Sequence, residues 1–325
     1  MITLLILIGG LVLLVIGGEL LVRGSVNVAS RLGVSPLVIG LTLVGFGTST
    51  PELVTSLQAA LNGSPGIAYG NIVGSNIANI LLILGISTMI LPIAVASSTL
   101  KRDGVVMIAV AVAFAVIAAT MPAGRLVGAV FVVALACYIY LAFRQEKTAN
   151  VDHGAVYDKS IAVQEADPAL APKAAVSGSM LLPIVTAVAG LGIVVLGGYL
   201  LVDSAVAIAR ELGVSETIIG LTIVAVGTSL PELVTSVMAA LRKQTDVAFG
   251  NIVGSNIYNI LGIGGITALT APSQVPAEIV GFDNLLMVAV SLLIVGFAYT
   301  GRRISRGEGG VLFAGYIGYV AWIWP

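Results

Sequence analysis

The sequence predicts an all-α integral membrane protein of ten transmembrane helices, arranged as two inverted five-helix repeats. Three observations carry this. Of 325 residues, 58% are hydrophobic and only 10% charged, and the mean hydropathy is +1.09. Several stretches therefore reach the roughly 18 apolar residues that mark a membrane span. The chain also repeats itself: Gly33–Leu81 aligned with Gly213–Leu261, at a fixed offset of 180, gives 32 identities in 49 positions. Finally, the basic residues gather on alternate loops once ten spans are drawn.

The expected spans are 2–22, 36–61, 67–91, 104–121, 125–143, 180–202, 216–241, 247–270, 283–299 and 309–324. Met1–Val22 has no basic n-region, so it reads as the first span and not as a signal peptide. Glu19 lies four residues before Arg23 and reads as a helix-end ion pair. The second span carries Gly47-Thr48-Ser49-Thr50-Pro51-Glu52, and the third carries Gly70-Asn71-Ile72-Val73-Gly74-Ser75-Asn76-Ile77-Ala78-Asn79. The fourth and fifth complete a first repeat over 1–143. Cys137 is the only cysteine, which excludes an intrachain disulfide, and it reads as a small packed residue.

The polar segment 144–179 holds Glu146, Asp152, Asp158, Glu165 and Asp167 with Pro168 and Pro172. It reads as a flexible cytoplasmic linker, and its acids lack EF-hand spacing. His153, the single histidine, reads as a solvated loop residue. The second repeat occupies 180–325, where the motifs recur as Gly227-Thr228-Ser229-Leu230-Pro231-Glu232 and as Gly250 to Asn259, differing from the first copy of the latter only at Tyr258.

Five spans per half is an odd number, so the second half must enter the membrane the other way up. With the N-terminus outside, the inside loops hold 13 of the 15 basic residues: Arg23, Arg31, Lys101, Arg102, Arg144, Lys147, Lys159, Lys173, Arg242, Lys243, Arg302, Arg303 and Arg306. Only Arg125 and Arg210 remain outside. The positive-inside rule thus places both termini outside a cell membrane. Oppositely inserted halves are the pattern of secondary transporters, with a site near the midplane.

Each copy of the first motif puts a carboxylate near the middle of a span, at a cost of about 2.5–3.5 kcal/mol or more. Pro51 and Pro231 have no N–H, which frees the carbonyls of Gly47 and Gly227. Loose carbonyls at membrane depth need protein, water or a ligand. Gly45, Thr48, Ser49, Glu52 and Ser56 fall on one helical face, and Ala225, Thr228, Ser229, Glu232 and Ser236 repeat it. Asn71, Ser75 and Asn79 share another face, while Asn76 and Asn256 point about 100° away from the neighbouring serines and are expected to brace backbone.

Together the halves offer Glu52 and Glu232, carbonyls near Thr48 and Thr228, the hydroxyls of Ser49, Ser229, Ser75 and Ser255, and the amides of Asn79 and Asn259. Ca²⁺ takes about 6–8 oxygens, and two carboxylates neutralise one Ca²⁺ or two monovalent ions. Zinc and copper are disfavoured, since no His or Cys is near. The competing structural role for such hydroxyls is back-bonding or helix–helix hydrogen bonding. Ser49 and Ser229 have no membrane base to activate them as nucleophiles, which argues against an enzyme. Oppositely oriented halves argue against a channel. A net charge of −1 gives no sign of nucleic acid, and no cofactor is implied.

The motif pair, present twice, resembles the alpha-repeats of the cation/calcium antiporter superfamily, with most similarity to prokaryotic sodium/calcium exchangers. The resemblance implies ten helices around a central site, and alternating access by movement of the first and sixth helices. By motif match, Glu52 and Glu232 would be shared ligands of Ca²⁺ and Na⁺. Thr48 and Thr228 would join the Ca²⁺ shell through backbone oxygens. Gly45, Ala225, Ser49, Ser229, Ser75 and Ser255 would help make sodium sites. Asn79 matches a family amide, while Asn259 stands where some members carry aspartate. Proton/calcium relatives show G-N-x-x-E on the acidic helix, which this chain lacks there; a proton/calcium or potassium-dependent exchanger remains the alternative.

Overall fold

The computed structural model describes residues 2–95, 99–146, 153–172 and 179–325. Lys147, Asp152 and Lys173 lie outside the described residues. The long helices are α1 (Ile2–Arg31), α2 (Thr50–Leu61), α3 (Pro65–Ala78), α4 (Val105–Thr120), α5 (Arg125–Glu146), α6 (Ala155–Ala166), α7 (Leu181–Leu212), α8 (Leu230–Leu241), α9 (Thr245–Ile257), α10 (Asn284–Gly301) and α11 (Arg306–Ile323). Among the described residues seven helices are long and apolar enough to cross a membrane, and the bent pair Glu216–Thr228 with Leu230–Leu241 makes an eighth if it is one span. The two other expected spans are helical but fall outside that set. Residues 36–61 are broken at Thr48–Ser49, and α11 opens with Arg306 and Glu308 in a capping box with Ser305.

Burial separates these helices into a centre and a rim. Pro65–Ile90 and Val247–Thr270 are 83% and 89% buried, against 28–39% for the other five single spans. The two central segments are those with the Gly-Asn-Ile-Val-Gly-Ser-Asn motif, whose glycines admit close neighbours. The rim helices turn Leu4, Leu5, Leu126, Val130, Leu181 and Leu182 outward. That is the distribution expected when the surrounding solvent is lipid. Cys137 is exposed on α5 rather than packed, because an apolar run on a rim helix has a lipid face as well as a core face.

α1 packs along α7 through glycines. A Cβ on Gly10 would stand 2.9 Å from the Gly197 carbonyl oxygen, and one on Gly190 would stand 2.8 Å from that of Gly17. Residues 180 apart thus exchange contacts, Gly10 with Gly197 and Gly17 with Gly190, as partners do across a two-fold axis.

Loop contacts fall into two groups. Ile93–Ala94 pairs antiparallel with Arg303–Ile304, and Arg23 reaches Asp167. Separately, Ala123 bridges to Ser273 and Ser215 donates to Glu278. Glu19 and Arg23 form the expected pair on α1.

The segment expected to be a flexible linker instead contains α6. Its first N–H groups have partners: the Gly154 N–H donates to Glu146 Oε1 at 2.9 Å and the Ala155 N–H to Asp103 Oδ2 at 2.8 Å. Carboxylates there also complement the helix dipole. Pro168 stops the helix, and Asp167 caps the turn that follows. His153 is not merely solvated: its ring lies 2.7 Å from Glu146 and stacks on Tyr157 at 4.2 Å between centroids.

Candidate functional site

Both acidic helices are built alike. Gly40–Val44 and Gly220–Val224 are π-helical, followed by a single α turn, a break at Ser49 or Ser229, and a new helix opened by Pro51 or Pro231. Irregular hydrogen bonding inside membrane helices marks functional segments. The break places Glu52 and Glu232 in the first turns of α2 and α8, where N–H groups favour negative charge. Both carboxylates are almost fully buried.

The halves meet reciprocally at these acids. Ser49 Oγ donates to Glu232 Oε1 at 3.2 Å, and Ser229 Oγ donates to Glu52 Oε1 at 3.1 Å. Among the buried oxygens that accept no hydrogen bond from the described residues are the second carboxylate oxygens, Glu52 Oε2 and Glu232 Oε2, and the amide oxygens Asn79 Oδ1 and Asn259 Oδ1. Two carboxylates and amide oxygens with free lone pairs form a donor set for a hard cation.

The remaining expected residues divide between site and scaffold. Thr228 donates to Asn71 Oδ1 at 2.9 Å. Ser75 lies 3.5 Å from both Asn71 Oδ1 and the Ala225 carbonyl oxygen. Gly45 and Ala225 are buried at the ends of the π segments. Asn76 donates to its own helix at Ile72, while the side chain of Asn256 accepts from Asn79 at 3.0 Å and lies 3.4 Å from the Asn76 carbonyl oxygen. Both side-chain nitrogens thus reach backbone, but Asn76 Oδ1 has no partner among the described residues and the shorter bond of Asn256 is to the Asn79 side chain. Asn71 and Asn251 anchor the acidic helices, donating to Ser56 at 2.9 Å and to Ser236 at 2.8 Å.

The expectation that no basic side chain lies near Ser49 is overturned, because a lysine of the segment read as a linker reaches the centre. Lys159 of α6 is fully buried, and its Nζ lies 2.5 Å from Ser255 Oγ, 2.9 Å from Thr48 Oγ1, and 3.4 Å from Ser49 Oγ and Glu232 Oε1. Nζ also stands 5.9 Å above the Tyr258 ring. Burial lowers the lysine pKa from its ordinary value, and the charges of Glu232 and Glu52 oppose that shift. The missed signal is a helical stripe, Ala155, Val156, Lys159, Ala162 and Val163, every member of which is buried. A cavity of about 510 Å³ reaches Thr48 and Pro51 between α1 and the end of α6, lined also by Val22, Val163 and Pro231.

The chain resembles known proteins along nearly its whole length. The profile of the family described as sodium/calcium exchanger protein matches residues 2–144 and 182–324. The chain is 36% identical over 344 residues to the sodium/calcium exchanger MaX1 of Methanosarcina acetivorans, covering 97% of each. It is 32% identical over 325 residues to the inner membrane protein YrbG of Escherichia coli, covering 98% of this chain and 94% of that one. A solved structure of the sodium-calcium exchanger NCX_Mj, soaked with 2.5 mM Na⁺ and 0.1 mM Ca²⁺, superposes with a TM-score of 0.64 at 32% identity, covering 100% of this chain and 99% of that one.

Proposed function

The chain belongs to the sodium/calcium exchanger protein family, and we propose that it exchanges Na⁺ for Ca²⁺ across a cell membrane by alternating access at Glu52 and Glu232. It is a transporter, not an enzyme, and needs no cofactor; the ions are its substrates. The observation that carries the site is the reciprocal pair of Ser–Glu hydrogen bonds between two buried carboxylates, each of which keeps its second oxygen without a partner among the described residues. Thr48 and Thr228 would add backbone oxygens to the Ca²⁺ shell. Gly45, Ala225, Ser49, Ser229, Ser75 and Ser255 would contribute to Na⁺ positions, and Asn79 and Asn259 would contribute amide oxygens. Purified protein in vesicles is expected to accumulate Ca²⁺ when an outward Na⁺ gradient is imposed. Uptake that follows a proton gradient and ignores Na⁺ contradicts this.

The ten-span, inverted arrangement is part of the same reading. It is supported by the exchanged glycine contacts between α1 and α7 and by the two groups of loop contacts. Each group joins loops that alternate crossing puts on one side. The termini would lie outside and residues 144–179 inside. Ser160 is buried and unsuitable as a reporter, whereas Ala169 is exposed. With Cys137 replaced by Ala, Ala169→Cys is expected to resist an impermeant thiol reagent in intact cells and to react in inverted vesicles. Labelling from outside reverses the topology.

Asn259 bears on the coupling ion. An aspartate there would add a third negative charge and favour one more bound cation. With asparagine, Glu52 and Glu232 supply the whole charge, so Na⁺-driven Ca²⁺ flux is expected to be the same with and without K⁺. Asn259→Asp is expected to make flux respond to K⁺. Wild-type flux that vanishes without K⁺ refutes the assignment.

A further inference from the structure

The two halves differ in how the π segment meets the asparagine helix, and α6 occupies the place of that difference. In one half, Gly220–Val224 packs directly on α3: a Cβ on Gly70 would stand 2.9 Å from the Leu221 nitrogen, and one on Gly74 only 2.5 Å from the Leu221 carbonyl oxygen. The equivalent surfaces are Gly40–Val44 and α9. There a Cβ on Gly250 would meet Asp158 at 2.3 Å, one on Gly254 would meet Lys159 at 3.3 Å, and one on Gly40 would meet Ser160 at 3.3 Å. Where one half closes helix on helix, the other holds α6 between the same two elements.

Hydrogen bonds show the same substitution. Thr228 donates to Asn71 Oδ1, but its counterpart Thr48 accepts from Lys159. Asn251 Oδ1, the counterpart acceptor, has no partner among the described residues. Ser75 lies beside the Ala225 carbonyl, whereas Ser255 accepts from Lys159. Tyr258, the single difference between the two asparagine motifs, faces the ammonium and donates to the Leu41 carbonyl at 2.8 Å. The anchors are asymmetric too. Tyr138 donates to Asp103 and Tyr319 to its repeat counterpart Asp283, yet the structure shows Asp103 also receiving the Ala155 N–H that starts α6. At its other end, Asp167 is paired with Arg23 of α1. Residues 145–181, including α6, fall between the two segments matched by the family.

We propose that α6 is a tethered plug of the ion passage, with Lys159 as an internal cation that competes with the transported ions beside Glu232. The proposal rests on Glu52 and Glu232 being the ion site. A docked ammonium takes one of the two negative charges, so a divalent ion binds between the carboxylates only after Lys159 withdraws with α6. Apparent affinity then falls by the fraction of molecules that are undocked; a plug in place about 90% of the time weakens it roughly tenfold.

The experiment is a reversible lock. Built on Gly40, a Cβ stands 3.7 Å from Ser160 Cβ, within the roughly 3.5–4.5 Å a disulfide needs. In the full chain with Cys137→Ala, the pair Gly40→Cys and Ser160→Cys is expected to cross-link on oxidation, to stop Ca²⁺ flux in vesicles, and to recover on reduction. Saturating Ca²⁺ is expected to slow the cross-linking. Lys159→Gln, measured alone, is expected to lower half-saturating Ca²⁺ at the linker face by roughly tenfold, with Lys159→Arg close to wild type. A pair that fails to cross-link, a locked protein that still transports, or Lys159→Gln with unchanged half-saturation overturns the plug. Failure of the site itself reads differently: Glu232→Gln would then transport normally whatever the state of the lock.

Discussion

Glu52→Gln and Glu232→Gln each abolish Na⁺/Ca²⁺ exchange while the protein remains folded; this is the largest effect expected. A single carboxylate cannot neutralise a divalent ion away from water. Removing one charge of a buried set costs about 3–5 kcal/mol, roughly 10²–10⁴-fold in affinity. The two variants should still differ. Glu52→Gln leaves Lys159 beside Glu232, whereas Glu232→Gln removes the carboxylate 3.4 Å from that ammonium and leaves a buried cation with less compensation. Glu232→Gln is therefore expected to have the lower melting temperature, and Lys159→Gln in the same chain is expected to restore it. Near-normal Ca²⁺ uptake by either single variant removes the site assignment. Equal melting temperatures remove the pairing with Lys159.

Gly74→Ala is expected to be the second most damaging change, although it touches neither acid. Its Cβ would stand 2.5 Å from the Leu221 carbonyl oxygen, 2.7 Å from Leu221 Cα and 2.9 Å from Ala225 Cβ. Two of these are backbone atoms, so no side-chain rotation relieves the clash; the helices must separate. Overpacking of this kind costs about 1–3 kcal/mol. The cost falls on the closed interface between α3 and Gly220–Val224. If that interface must close in every cycle, flux falls by roughly 5–150-fold at the same energies. The counterpart Gly254→Ala meets α6 at 3.2–3.3 Å and is expected to weaken docking of the plug more than transport. Flux and expression in vesicles decide both. Gly74→Ala with wild-type turnover shows that this closure is not part of the cycle.

Much of the site is legible in the sequence because membrane physics exposes it. A carboxylate in an apolar span is so costly that Glu52 and Glu232 stand out unaided, and the offset of 180 relates them to each other and Ser49 to Ser229, but the crossed Ser–Glu bonds appear only in the fold. The break before Pro51 and Pro231 follows from a missing N–H. The π segments do not follow, because Gly40–Val44 carries no residue that forbids an ordinary helix. Bracing by Asn256 could be anticipated from its helical angle, but its bond to Asn79 could not, since it depends on how the halves cross. α6 was missed for a composition reason. A polar segment with prolines reads as a linker, and a lysine in it reads as solvated. Its burial depends on carboxylates far away in sequence, Asp103 at one end and Glu232 in the middle. Cys137 was misplaced for the opposite reason, since in a membrane an exposed position is as apolar as a core one.

Equilibrium Ca²⁺ binding to the purified full chain, without any gradient, tests the central claim most directly. The geometry predicts saturable Ca²⁺ at one central site per chain, displaced by Na⁺, unaffected by K⁺, and absent when Glu52 and Glu232 are both replaced by Gln. Ca²⁺ that binds the double variant with wild-type affinity, or that Na⁺ does not displace, contradicts it.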